Sequence, residues 1–579
     1  MITRGNMWAL PAVLVIVSTA MIVAGRPPAE MPGGANDQNL FLHPVMKSAE
    51  GLAFDENAAR DHVRVLASDA MQGRKSGEAG YDAAAAYVAA RLREGGLEPA
   101  GPGGSYFQEL TFEYFKLERG AVLEIVTKNM RRALQYRQDW RIQRYSGSGM
   151  FAGDVVFIGY GISAPEKGYD DYAGVDVKNR VALMCTEDPP DRFGDLGEGA
   201  HIRNRLRAVR ERGARGVLTF ESSPQTGFFF RGFNGALPRE DHDPDFIIIT
   251  LEPHAVEAIF QGQQTDARAL MRQMEISGKS RAFLMDNRCS IRVKTVLGDG
   301  RATRNVLARI RGADEKLQKE CVIVGAHLDH LGTDADGNVF PGADDNASGS
   351  AVVMEVARAM QRSRPRPKRT IVFAFWAAEE DGLLGSKFYT ERPVYPLAMT
   401  AVYVNLDMVG QGNGKVRFHG VDLAPELWRF LAARLPGEIA GRVLPSRSEP
   451  GGSDYRYFRS RGVPNFDIVS DGDHLETHQI GDSPDLINLE VLKNVGTFTA
   501  KVVEAMSSET DLPLSGAERK TYLRRYRTTI GHAIRRPQDP SGAFLGLEKS
   551  RGVVVPEKAG ILRIVGYPDP ARSLKVDGE

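Results

Sequence analysis

Three apolar runs of strand length, residues 322–326, 370–377 and 401–406, give way to imidazole or acidic side chains. His327 and Asp329 follow the first run, Glu379 and Glu380 the second, and Asp407 the third. Between the first two runs, Val352, Val353, Val356 and Met360 recur at helical spacing over residues 350–360. Strands that alternate with helices imply an α/β fold with a mostly parallel central sheet flanked by helices. In open sheets of that kind the site lies beyond the carboxyl ends of the strands, so these separate segments are expected to converge.

Taken singly, each polar residue has an ordinary explanation. A histidine after a strand is commonly a surface or hydrogen-bonded one. Paired glutamates commonly start a helix, and Asp344-Asp345-Asn346 ahead of Ser348-Gly349 has the make-up of a turn and helix cap. Together they put several carboxylates at corresponding ends of successive elements, where their charges repel unless cations hold them. Overall charge offers no competing explanation. The chain of 579 residues balances 74 basic against 74 acidic residues, which favours neither nucleic acid nor an anionic surface as partner. With 42% hydrophobic residues it is globular and long enough for two or three domains, and Cys185, Cys289 and Cys321 imply no disulfide framework.

Along the chain, Arg4 precedes an uncharged stretch at 7–24 that Arg26-Pro27-Pro28 ends. Residues 1–25 read as a signal peptide or, since the run is just long enough to cross a bilayer, an uncleaved anchor. Either reading puts the folded part outside, secreted or periplasmic. A Pro/Gly/Asn-rich linker covers 26–51. Residues 52–135 form the first part of the main domain, with helices expected at 58–66 and 81–92 and strands within 105–126. Residues 136–291 read as a separate α/β module, with strands near 154–158, 180–184, 216–220 and 246–250 and a basic helix at 201–212. That module holds no cluster of residues at ligand spacing. Residues 292–510 complete the main domain. The basic extension 511–579 is expected to include a solvated helix at 519–536, and 543–548 and 566–579 are faintly similar to parts of a PDZ module.

The ordered motifs AHLDH (326–330), PGADDNASG (341–349), AAEEDGLLGS (377–386), NLDMVG (405–410), GGSDYRYF (451–458) and THQIGD (477–482) resemble the family of co-catalytic zinc aminopeptidases. Bacterial secreted leucyl aminopeptidases, glutamate carboxypeptidase II and glutaminyl cyclases belong to it. Residues 66–101 are similar to the opening helices of its peptidase domain, and 153–183 with 210–218 resemble the protease-associated domain that many members carry as an insertion. The resemblance therefore implies a zinc aminopeptidase/phosphorylase-hydrolase-like fold, split in sequence by an inserted α/β protease-associated domain.

The resemblance also implies two zinc ions per chain. His327 and Asp407 would hold one, Glu380 and His478 the other, and Asp345 would bridge them, with a cis peptide bond after it. Imidazole and carboxylate donors suit zinc. Asp345 is selected over Asp344 by the spacing D-x-x-S-G, and His478 over His474 because Asp482 and Ser483 follow it. His474 is read as an outer partner or polar surface. Asp329 would orient His327 through the other ring nitrogen. Glu379, left without metal, would act as general base and acid on a hydroxide bridging the two ions. Tyr455 is a candidate for the oxyanion. The activity implied is release of amino-terminal residues from peptides or proteins. A carboxypeptidase of the glutamate type shares the cage and is the alternative, although no arginine cluster for a substrate carboxylate is visible. Glutaminyl cyclase is disfavoured by the full ligand set with the Glu379-Glu380 pair. A receptor-like binding protein would have lost ligands.

Overall fold

The structure is a computed structural model. It describes residues 53–127, 130–190, 193–222, 239–447, 452–514 and 519–527, and the backbone of three short strands beyond residue 553. The expected signal peptide or anchor and the linker lie outside the described residues.

The sheet that positions the site comprises β1 (Glu98–Pro99), β2 (Phe107–Leu117), β3 (Thr295–Ile310), β4 (Cys321–His327), β5 (Thr370–Trp376), β6 (Thr400–Leu406), β7 (Val416–His419), β8 (Val443–Ser446) and β9 (Asn465–Ser470). Their spatial order is β1-β3-β5-β4-β6-β9-β7-β8, with β2 also paired to β3. The four central strands, β5, β4, β6 and β9, run parallel. β3 and β7 flank them antiparallel, so the parallel character belongs to the centre. Every residue of β4, β5 and β6 is buried, which is why they read as unbroken apolar runs rather than as alternating ones.

Helices α1 (Glu56–Leu66), α2 (Ala79–Glu94), α3 (Gly349–Arg362) and α4 (Leu489–Ser508) accompany this sheet. The Asp55 side chain caps α1 by accepting from Asn57 N and Ala58 N. α1, α3 and α4 pack on one another, and a buried polar chain fixes α1 to α3. In it Glu355 sits between His62, at 3.2 Å, and Arg358, which also contacts Asp55. The aromatic cluster of Trp376, Tyr389, Tyr403 and Phe458 draws on β5 and β6, with Tyr403 stacked on Phe458 at 4.1 Å between ring centroids. The helix at 519–527 packs against the main domain rather than standing in solvent. Tyr522 and Tyr526 are 2% and 8% exposed, Asn465 donates to Tyr522 Oη, and Arg519 donates to Thr400 O. One apolar-faced turn repeat among arginines is enough to bury it.

An eight-stranded sheet forms the inserted module, in the order Arg131–Leu134, Val122–Val126, Phe283–Val293, Gly149–Phe157, Val181–Cys185, Gly216–Phe220, Ile247–Leu251 and Trp140–Ile142. It starts at Val122, ahead of the expected boundary at 136. The strand Val122–Val126 alternates as β2 does, but its partners are Arg131–Leu134 and Phe283–Val293. The module leaves the main sheet after β2 and returns at β3, whose ladder pairs Leu117 with Thr295. Near the carboxyl end, Val554–Glu557, Ile561–Ile564 and Leu574–Lys575 pair antiparallel. The PDZ-like stretch at 543–548 and nearly all of that at 566–579 lie outside the described residues. Among the described residues no helix is long and apolar enough to cross a membrane.

Candidate metal centre

The ends of β4, β5 and β6 meet two loops from elsewhere in the chain. His327, the last residue of β4, is 1% exposed. Its Nε2 lies 3.2 Å from Asp407 Oδ1 and 3.3 Å from Asp345 Oδ1. On the other side of Asp345, His478 Nε2 lies 2.9 Å from Oδ2 and 3.2 Å from Glu380 Oε2. The structure thus brings together all five residues singled out as ligands, and they divide into two donor groups that share Asp345. One nitrogen or oxygen each from His327, Asp345 and Glu380 lies within 4.8 Å of the others. The peptide bond between Asp345 and Asn346 is cis. Ala378, Leu383, Met408 and His478 all have φ between 52° and 61°. Non-glycine residues adopt that region rarely, so these loops hold their shape only because their surroundings fix it.

The surroundings can be named. Asp482, fully buried, accepts from Asp344 N at 2.9 Å and from Asp345 N at 3.1 Å, while its carbonyl accepts from Ala343 N. Burial pushes its carboxyl up to about 7, and Asp344 nearby adds to this. Asp344 accepts from Gly410 N at 2.7 Å and pairs with His474 at 2.6 Å, so it is occupied away from the shared position that Asp345 takes. Arg74 is fully buried and donates to the carbonyls of Leu66, Leu328, Pro341 and Gly342. It thereby ties the loop after β4 to the loop before Asp345. Burial lowers its guanidinium to about 10, against the pull of Asp482, Asp345 and Asp329. The preceding Gly73 has no substitute, because a Cβ there would lie 2.4 Å from Gly332 O. His330 Nδ1 lies 2.8 Å from Glu380 Oε1, so Glu380 is held between two imidazoles.

The expected role of Asp329 needs correcting. His327 Nδ1 faces the main-chain carbonyl of Asp329, at 3.2 Å. The Asp329 carboxylate instead accepts from Glu379 N and Glu380 N, at 3.1 and 3.3 Å. The structure sets Tyr455 in the aromatic cluster under Arg459, with its hydroxyl accepting from Gly452 N.

Carboxyl groups outnumber the imidazole and guanidinium groups at the centre. Burial raises the Glu379 carboxyl well above the usual range, and the neighbouring Glu380 and Asp454 push the same way. Asp454 is itself fully buried, and neither of its oxygens has an aligned hydrogen bond. Burial brings it to about 7. Asp345 Oδ2 likewise accepts no aligned hydrogen bond despite its 2.9 Å approach to His478 Nε2. Two such atoms that approach without alignment suit convergence on a third centre. Borderline cations that take nitrogen and oxygen donors fit this set.

Asp482, Arg74, His330 and Asp454 carry the centre without having been assigned a part in it by sequence. The signal for Arg74 is a charged residue after a glycine in a stretch flanked by buried helices, which is too common to single it out. Replacing Asp482 by alanine strands two buried main-chain donors at about 1–3 kcal/mol each. Denaturant unfolding should show a loss of about 2–6 kcal/mol, and titration with a divalent metal should show weakened binding.

Comparison with known proteins agrees with this geometry. Residues 305–503, which include all five candidate ligands, match Peptidase family M28. Leupeptin-inactivating enzyme 1 of Streptomyces exfoliatus is 31% identical over 32% of this chain and 40% of its own length. A glutamate carboxypeptidase 2 homolog of Caenorhabditis elegans is 26% identical over 67% of this chain and 59% of its own. The chain thus spans less than two thirds of either relative. The solved structure of a zinc aminopeptidase from Bacillus subtilis shares the fold, with a TM-score of 0.55 at 19% identity, covering 79% of this chain and 96% of that one.

Proposed function

We propose that the chain is a zinc-dependent exopeptidase that releases residues from the amino termini of peptides and proteins. The observation that carries this reading is the division of five buried or half-buried donors into two groups about Asp345, His327 with Asp407 and His478 with Glu380. These groups would hold two zinc ions, with Asp345 reaching both. Zinc bound there supplies Lewis acidity toward a scissile carbonyl and an acidified water.

The remaining chemistry belongs to the chain. Glu379 adjoins a ligand but is not needed as one, and its carboxyl is raised by burial toward the range where a carboxylate accepts a proton from water and returns it. It would take the proton of the attacking water and deliver it to the departing amine. Asp329 is a positioning residue for this step, because it fixes the main chain of Glu379 and Glu380. The similarity of 153–183 and 210–218 to a protease-associated domain supports reading the inserted module as one, placed to restrict substrate rather than to bind metal. The apolar amino-terminal run supports export.

The test is to offer the purified protein aminoacyl and carboxyl-terminal reporter substrates and to measure zinc per chain. Hydrolysis of aminoacyl reporters with two zinc ions is the expected result. Cleavage confined to carboxyl-terminal glutamyl reporters would move the assignment to a carboxypeptidase, and inertness toward both would overturn the exopeptidase reading.

A further inference from the structure

The loop that carries Glu379 and Glu380 is anchored almost residue by residue from within the main domain. Ala377 N donates to Asn305 Oδ1 and Ala378 N to Ser76 Oγ. Glu379 N and Glu380 N donate to Asp329. Gly382 N and Leu383 N both return to Glu379 O at 2.8 Å. The Asp381 carboxylate pairs with Lys75 at 3.4 Å. The Asp381 carbonyl is different, because its donor comes from the inserted module. Arg144 Nη1 reaches it at 2.7 Å, while Nη2 donates to Glu113 O of β2 at 3.0 Å.

Arg144 is itself firmly held by the module. It follows the strand Trp140–Ile142, which pairs with Ile247–Leu251. Gln143 N donates to Ile248 O and Gly147 N to Phe246 O, and Ile248 N donates to Ser146 Oγ. A rigid planar fork with one prong on β2 and the other on the residue after Glu380 fixes the distance between them. The loop it grips contains two non-glycine residues at positive φ, Ala378 and Leu383, so it relaxes elsewhere if a support is removed.

We propose that Arg144 is a positioning residue for the Glu379-Glu380 pair, so that the inserted module completes the catalytic loop rather than only overhanging it. The effect on turnover rests on the exopeptidase reading given above, whereas the effect on the loop does not. A misplacement near 1 Å can cost about 100-fold in rate, so Arg144→Met is expected to lower kcat by about 10- to 100-fold. KM should change by less than about 3-fold, a KM-against-kcat split expected of a group that acts only on the reacting step. Arg144→Lys keeps one donor and should fall between. Arg239→Ala is the control. Arg239 also links the module to the main domain, through Glu113 at 2.6 Å and through Asp299, but it does not touch the loop.

Hydrogen exchange of the full chain is measured beside the kinetics. Arg144→Met should speed exchange across residues 378–385, and Arg239→Ala should leave both that segment and kcat near wild type. Equal losses in the two variants would reduce Arg144 to a docking contact and overturn the proposal, as would unchanged exchange in Arg144→Met. If the wild-type protein cleaved no reporter, the exopeptidase reading would fall, and exchange would still decide the role of Arg144.

Discussion

Glu379→Gln is expected to keep both zinc ions and to lose about 100- to 10,000-fold in kcat. Glutamine preserves size and hydrogen-bonding capacity but accepts no proton, so only the transfer step is lost. Nothing in the cage should move, because the main chain at Glu379 is fixed by Asp329 whichever side chain is present. Glu380→Gln tests the adjacent position. Its carboxylate lies between His330 and His478, and the substitution removes a charged donor from one side of the centre. Zinc content should therefore fall together with rate. Metal analysis beside kcat separates the two. Metal loss in Glu379→Gln, or two tightly bound zinc ions in Glu380→Gln, would reverse the assignment.

Chelation should abolish activity, and added zinc should restore it. The effect reaches beyond turnover. Asp345, Glu380, Asp407, Glu379, Asp329 and Asp454 crowd one end of the sheet, with Arg74 buried beside them as a compensating cation. Without metal, that crowding is relieved only by protonation of some carboxyls and by the neighbouring imidazoles, and a ligand present at 1,000 times its Kd stabilises the folded state by about 4 kcal/mol. Thermal unfolding of the metal-free protein should begin several degrees lower and recover on zinc addition. Undiminished hydrolysis by protein shown to be metal-free would falsify the zinc reading.

His327, Glu380 and Asp407 are legible in the sequence because strand ends are legible. β4, β5 and β6 are fully buried runs, and residues at the carboxyl end of such a run in a parallel sheet lie at the site edge. Asp345 and His478 are not strand-end residues, and only motif resemblance points to them. The supports are less visible. Asp482 holds two main-chain N–H groups some 137 residues away, and Arg74 holds Gly342 at a separation of 268. No periodicity connects such pairs, since the contacts are set by loop paths rather than by side-chain pattern. Asp329 shows another limit, because its position in the sequence identifies the right residue but not which of its atoms face His327. The early start of the inserted module at Val122 is hidden because strands of two different sheets succeed one another with the same alternation.

The ladder that pairs Leu117 with Thr295 has a consequence for how such a chain can diversify. Partners in an antiparallel ladder lie about 5 Å apart, so the module between them is topologically an overgrown hairpin loop. A different cassette whose ends lie side by side could be grafted at that rung without changing the register of β2 and β3. The scaffold and its cage would be inherited intact, whereas the rate would not unless the graft supplied its own donor to Asp381 O. Exchange of the inserted module is therefore topologically simple in this architecture, whereas the donor to Asp381 O has to be rebuilt with each graft.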